Sequence, residues 1–351
     1  MVEPKVYQAL AKPLVGPMDP YFFGVLDEMR EMLRSAFGTA NPATWTVSGT
    51  GSAGMETAIA NFVEPGAVFA VLGCGFFGSR MAEMGKRQGA RVAMLEKPWG
   101  EVFGYDEVAE FVGREKPAVV AFVHAETSTG ALQDPRPIVK AAREVDALTI
   151  ADCVTSLGAM PVALDEMGID IAYSCSQKGL SCPPGLAPIT ASPRAMERLN
   201  ARKTQVPAWY LDMRLLGEYF DGHKYHHTAS PTLFYALHES LRLIHEEGLE
   251  NRFARHRCAH EILMRGFERL GLEMHVKEGL RIPHLSTPRV PAGMDDAKVR
   301  QYLLEKNGIE ILGGFGPLAG KVFRIGVMGP MANDPCVEMF LDKFQAALEA
   351  A

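Results

Sequence analysis

Short, unbroken apolar runs punctuate the first two-thirds of the chain. Residues 68–72, 118–123, 148–151, 171–173 and 186–189 are rich in Val, Ile, Phe and Ala and do not alternate with polar positions, the pattern of strands buried on both faces of a parallel sheet. Between them, residues 78–88, 105–114 and 137–145 have the mixed spacing of amphipathic helices. Strand and helix take turns, and that order predicts a doubly wound α/β sheet. After about residue 235 the texture changes. A long helical candidate runs over 237–247 and on through 253–270, followed by a segment at 284–290, a helix near 297–306 and a closing helix near 335–348. Two units are expected: a large α/β domain over 1–235, with an N-terminal segment 1–15, and a smaller C-terminal α+β domain over 236–351. No internal repeat or low-complexity tract interrupts the pattern.

Composition narrows the function. With 351 residues and 47% apolar content the chain has ample material for a sizeable core. Its formal charge of −6 is spread over 36 basic and 42 acidic residues with no long run of either sign. That gives no footprint for nucleic acid or an anionic membrane and leaves small-molecule chemistry as the expectation. No stretch is apolar for the length a bilayer requires, and the N-terminus has no basic region followed by a sustained apolar one. Six cysteines without a CxxC pair or a regular framework read as reduced thiols, so a soluble, cytoplasmic protein is expected.

Three features carry chemistry. The first is Ser48-Gly49-Thr50-Gly51-Ser52-Ala53-Gly54, between the mostly apolar residues 45–47 and the helical stretch 55–62. It satisfies GxGxxG, yet a dinucleotide site would want an acid about 20 positions on, and residues 69–75 contain none. A P-loop is also excluded, because no Gly-Lys-Ser/Thr follows. What remains is either a structural turn or a seat for a phosphate monoester, made of N–H groups and hydroxyls at a helix N-terminus.

The second feature is Asp152, which ends an apolar strand at the sheet edge where ligands bind. A carboxylate there can hold a metal, act as a base or pair with a cationic ring nitrogen; its plainer reading is a helix cap or a solvated loop acid. The third is Lys178, just past the next strand in Ser174-Cys175-Ser176-Gln177-Lys178-Gly179-Leu180. Most lysines are solvated surface charges, but one desolvated at a strand exit has a lowered pKa and an amine free for Schiff-base chemistry. A lysine, an acid that keeps a pyridine nitrogen protonated and a phosphate seat are together what a pyridoxal 5′-phosphate site needs. The cluster His223, His226 and His227 lacks a fourth ligand and regular spacing, so polar interface contacts are expected there and no metal.

On the strings SGTGSAGME, HAETSTG, ADCVTSLGAMP, YSCSQKGLSCPPGLAP, YHHTASPTLFYAL and GIEILGGFGPLAGKVFRIGVMG, the chain from about residue 14 onward resembles the class V pyridoxal-phosphate-dependent aminotransferases. Among these it is most similar to the alanine–glyoxylate and serine–glyoxylate (serine–pyruvate) aminotransferase group. The resemblance implies fold type I, with a mostly parallel seven-stranded sheet in the large domain. It makes Lys178 the Schiff-base lysine and Asp152 the partner of the pyridine nitrogen, with Val154 near the ring. Thr50, Gly51, Ser52 and Gln177 become phosphate ligands, Phe77 the aromatic stacked on the cofactor and Thr127 a contact on its hydroxyl side. Tyr225 and Thr228 match positions that reach the phosphate of a partner subunit, which implies a homodimer with shared active sites. Arg324 matches the arginine for the substrate carboxylate, a role suited to its bidentate fork. In one respect the chain departs from the family: no Gly-Pro-Gly-Pro loop precedes residues 10–16, which puts the substrate pocket in question.

The expected reaction is ping-pong transfer of an amino group from alanine or serine to glyoxylate or pyruvate, with Lys178 as carrier and proton shuttle. An unusual donor such as ureidoglycine is a variant of this reading. Rival readings are a desulfurase-type lyase, for which Cys336 lacks the setting of a mobile-loop acceptor, a non-catalytic binding protein, and a dehydrogenase resting only on GxGxxG.

Overall fold

The apolar runs become strands because each is covered on both faces. The computed structural model describes residues 2–351 and contains a seven-stranded sheet. Its strands are β1 (Ala43–Ser48), β2 (Val68–Gly73), β3 (Arg91–Glu96), β4 (Val119–Val123), β5 (Leu148–Asp152), β6 (Ile171–Tyr173) and β7 (Leu186–Ala191). Every residue of β4, β5, β6 and β7 is buried, as parallel-sheet interiors require. Across the sheet the order is β1-β7-β6-β5-β4-β2-β3. The pairings from β3 to β6 are parallel, and β7 runs antiparallel to both β1 and β6. β1 therefore points the same way as the central strands, and its C-terminal end lies at the same edge as theirs.

The chain leaves β2 for β3 on one side and then crosses to β4 on the other, so connections diverge at the C-terminal ends of β2 and β4. That divergence opens the crevice in which doubly wound sheets bind ligands. β3 is absent from the strands read in sequence because its apolar centre, residues 92–95, is only partly buried and lies between charged ends at the sheet margin.

Two large packed cores are found among the described residues, beside a small third cluster of Ala125, Ile282 and Leu285. The larger gathers buried residues from Val6 to Ile244 and the smaller from Ala259 to Ala347. The helix Pro231–Glu247 runs across the junction expected at 235/236, and its buried side chains as far as Ile244 belong to the larger core. The single long helix expected from 237 to 270 is two helices, Pro231–Glu247 and Leu249–Arg269, broken at Gly248 with φ +83°, a conformation that costs glycine least. Beyond them, β8 (Leu285–Ser286), β9 (Leu312–Gly313) and β10 (Phe323–Gly326) form an antiparallel sheet in the order β8-β10-β9. The helix Asp296–Asn307 lies between β8 and β9 in sequence, and the helix Asp334–Ala350 follows β10. No helix among the described residues is long and apolar enough to cross a membrane.

Candidate active site

The C-terminal ends of β1, β2, β4, β5 and β6 converge on a cavity of about 180 Å³. It brings together nine of the residues singled out in sequence: Thr50, Gly51, Ser52, Phe77, Thr127, Asp152, Val154, Gln177 and Lys178. Arg80 and Thr155 line it as well.

One end has the chemistry of an anion seat. β1 delivers the chain to Thr50, the cap of the helix Gly51–Phe62, whose first turn holds no acidic side chain, so its free amides and positive dipole end meet no competing anion. Arg80, reaching over from the helix Phe76–Arg87, donates from Nη1 to Ser52 Oγ at 3.1 Å and adds a cation beside that seat. Gln177 is exposed at the rim.

The opposite end carries a buried carboxylate. β5 and β6 pair with Asp152 beside Tyr173. Asp152 Oδ2 accepts from the Tyr173 hydroxyl at 2.8 Å and Oδ1 from the Val154 amide at 2.9 Å. Both partners are neutral, and burial pushes the carboxyl up to about 6 in spite of them, with the nearby Glu126 carboxylate adding to the rise. A cationic ring N–H would supply the charge partner that this carboxylate lacks.

Glu126 is buried too. Its Oε1 accepts from the amide and hydroxyl of Ser128 at 3.0 and 2.6 Å, and its Oε2 from the Phe77 amide at 3.1 Å. Burial raises its pKa while those donors pull it down. The contact fixes the start of the helix Phe76–Arg87 and with it the Phe77 ring.

Lys178 is half-buried in the turn between β6 and β7. It borders the cavity and also a neighbouring hollow of about 430 Å³ lined by Tyr7, Met328 and Met331 among others. Arg324 lies outside the cavity, on β10. It is 6% exposed, donates from Nε to the Gly313 carbonyl at 2.8 Å, and sits 3.8 Å from the centroid of the Phe315 ring. Burial lowers its pKa and Glu126 opposes that shift. Gly326, two residues on and so on the same face of the strand, lines the hollow beside Lys178.

Tyr225 and Thr228 are not brought to this cavity. Both are exposed and hydrogen-bond each other at 3.3 Å. The three histidines do not form one cluster: His223 stacks on Phe23, while His226 and His227 pack edge to face with centroids 5.1 Å apart, His226 bonding the Tyr210 carbonyl and His227 bonding Ser48 Oγ. Cys336 sits in the first turn of the final helix, its amide donating to Asn333 Oδ1.

Arg80, Glu126 and Tyr173 were assigned no role in sequence. An arginine on an amphipathic helix reads as surface charge and a tyrosine ending an apolar run reads as core. Glu126 alone carries a signal in the sequence, as an acid three residues past the end of β4, at the sheet edge where Asp152 ends β5.

Known proteins place the chain in a family. The model for aminotransferase class-V matches residues 17–319. The crystal structure of alanine–glyoxylate aminotransferase from Nostoc sp. superposes with a TM-score of 0.97 at 46% identity, covering 99% of this chain and 92% of that one. The (S)-ureidoglycine–glyoxylate transaminase of Bacillus subtilis is 38% identical over 99% of this chain and 88% of its own length. Alanine–glyoxylate aminotransferase of Oryctolagus cuniculus is 38% identical over 99% and 90%. Matched across nearly its whole length, and with a lysine and a buried carboxylate sharing one cavity, the chain belongs to the class V aminotransferases, pyridoxal-phosphate-dependent enzymes of fold type I.

Proposed function

We propose that this aminotransferase moves the amino group of alanine or serine to glyoxylate or pyruvate in two half-reactions at one site. The observation that carries the reading is the position of Lys178, which borders both the cavity that ends on Asp152 and the hollow beside the β10 strand of Arg324. The cavity suits pyridoxal phosphate in its donor chemistry: Thr50, Gly51, Ser52 and Gln177 would hold the phosphate, and Asp152 would hold the proton on the ring nitrogen. Phe77 and Val154 would flank the ring and Thr127 would meet its hydroxyl side. When bound, the cofactor supplies an electron sink. Lys178 Nζ is the amine that would hold the cofactor covalently, and the same nitrogen would serve as the base that moves the proton at the substrate α-carbon. Arg324 grips the substrate carboxylate through its two Nη groups, its Nε being spent on Gly313.

The donor is read as small because, apart from Lys178, no charged side chain among the described residues lines the hollow, and a second carboxylate on the substrate would want one. Glyoxylate as acceptor is supported by the names of the relatives, and alanine as donor by two of them. The test is the visible absorbance of the holoenzyme before and after L-alanine, with no acceptor present, in the wild type and in Lys178→Ala. Loss of the band with release of one equivalent of pyruvate per site, in the wild type only, supports the reading. A band that alanine and serine leave unchanged but (S)-ureidoglycine bleaches would move the donor to that compound.

A homodimer with shared sites is part of this proposal. The exposed Tyr225–Thr228 pair lies in a segment that also exposes Trp209 and Tyr210, and such aromatic surface suits burial against a second copy. Cytoplasmic residence is proposed on the six unpaired cysteines, and small-molecule substrates without nucleic-acid or membrane partners on the evenly mixed charge.

A further inference from the structure

One buried ionic cluster takes no part in the reaction proposed above. Arg252, on the helix Leu249–Arg269, is 5% exposed, and all three of its guanidinium nitrogens donate hydrogen bonds. Nε donates to the Gly158 carbonyl at 2.7 Å, Nη2 to the Gly179 carbonyl at 2.8 Å and to Ser181 Oγ at 2.9 Å, and Nη1 to Glu247 at 2.8 Å. Gly158 lies in the turn that follows Asp152, and Gly179 is bonded to Lys178.

These two backbones are pressed together. A Cβ on Gly158, whose φ is +77°, would stand 2.8 Å from Leu180 Cδ2 and 3.1 Å from the Gly179 carbonyl carbon, while one on Gly179 would stand 2.8 Å from the Ala159 nitrogen. Ser181 adds a left-handed residue, φ +57°. Backbone held this way persists only where its surroundings over-determine it, and a planar fork of donors is the group that can hold two facing carbonyls at once. Glu247 extends the cluster. It also pairs with Arg255 Nε at 2.7 Å, and Arg255 Nη1 donates to the carbonyls of Gly329 and Ala332, both at 2.7 Å, in the turn just past β10.

We propose that Arg252 is a positioning residue that sets Lys178 relative to Asp152 by bridging the Gly158 and Gly179 carbonyls, and that Glu247 and Arg255 tie this loop to the turn behind Arg324. The inference rests on Lys178 being the reactive amine. It separates two jobs: the cavity residues hold the ligand, and the Arg252 cluster fixes where the lysine nitrogen stands.

The test compares holoenzymes of Arg252→Met and the milder Arg252→Lys with Leu263→Ala, a truncation in the smaller core on the same helix. The readouts are the single-turnover rate with L-alanine, the half-saturating alanine concentration, the visible band and the thermal midpoint. Arg252→Met is expected to slow the single turnover about a hundredfold while half-saturation moves by less than about threefold, as a misplaced reactive group does. Arg252→Lys, which keeps the charge but not the fork, falls between, and it answers the question if Arg252→Met does not fold. Leu263→Ala loses thermal stability and keeps its rate. Wild-type turnover in the Arg252 variants, or a slowing no greater than that of Leu263→Ala, overturns the positioning role. Release of one equivalent of pyruvate per site from L-alanine by Lys178→Ala, at the wild-type single-turnover rate, removes the reading of Lys178 itself, and the positioning role goes with it.

Discussion

At the cofactor end of the site, Asp152 and Tyr173 touch because β5 and β6 pair in register, and the hydrogen-bond ladder of the sheet sets their 2.8 Å contact. At the proposed substrate end, Arg324 comes from a different sheet with its own core. It meets the rest of the site through a stack in which its guanidinium lies on Phe315 and Phe315 leans on Phe76, ring centroids 5.1 Å apart. The first arrangement is fixed by backbone pairing and the second by side-chain stacking of two exposed rings. Under the proposed function, chemistry that depends on a nitrogen's exact protonation would thus rest on the stiffer support, and recognition of the substrate carboxylate on the more adaptable one.

This contrast can be broken at either end. The largest effect belongs to Lys178→Ala, which should lower kcat by at least ~10⁴-fold, since it removes both the carrier amine and the proton shuttle; steady-state assay with alanine and glyoxylate reads it. Next is Asp152→Asn, expected to cost about a hundredfold in kcat, the scale for losing one preorganised electrostatic contact.

Asp152 also predicts a pH dependence. Without cofactor it ionises at about 6 against an unperturbed 3.8, so its contribution to folding stability is fully present below 3.8 and is lost as the pH rises through about 6. A ring cation reverses that preference, because it favours the ionised carboxylate. Apparent cofactor affinity in the wild type should therefore climb as the pH approaches 6 from below and then level off, and the Asn variant should lack that climb in a fluorescence titration.

At the substrate end, Arg324→Lys should raise the half-saturating alanine concentration by roughly 10–100-fold, the worth of charged hydrogen bonds lost with the fork, and leave kcat much less changed. An equal fall in kcat would mean that the two ends are not separable. The smallest effect is expected of Tyr225→Phe. If its hydroxyl reaches the partner's phosphate seat, equilibrium dialysis should find cofactor binding weaker by about fivefold, near 1 kcal/mol. Unchanged binding would detach Tyr225 from the site.

Much of this architecture was legible before any fold was drawn, and for local reasons. A strand buried on both faces must be apolar without alternation, so β2, β4, β5, β6 and β7 announce themselves, whereas β3 at the sheet margin needs less apolar cover and does not. A doubly wound sheet presents its loops at the strand ends, so Thr50 to Ser52, Asp152 and Lys178 could be assembled from strand order alone. Tertiary structure decided the rest, because those contacts join residues far apart in sequence whose types read locally as ordinary. Arg80 reaches Ser52 from another helix, Glu126 holds the Phe77 amide, and Arg252 bridges Gly158 and Gly179 from beyond the larger core. An arginine buried against two carbonyls and one on a solvated helix face have the same letter in the sequence, and only the packing of the chain around them determines whether they hold a site together.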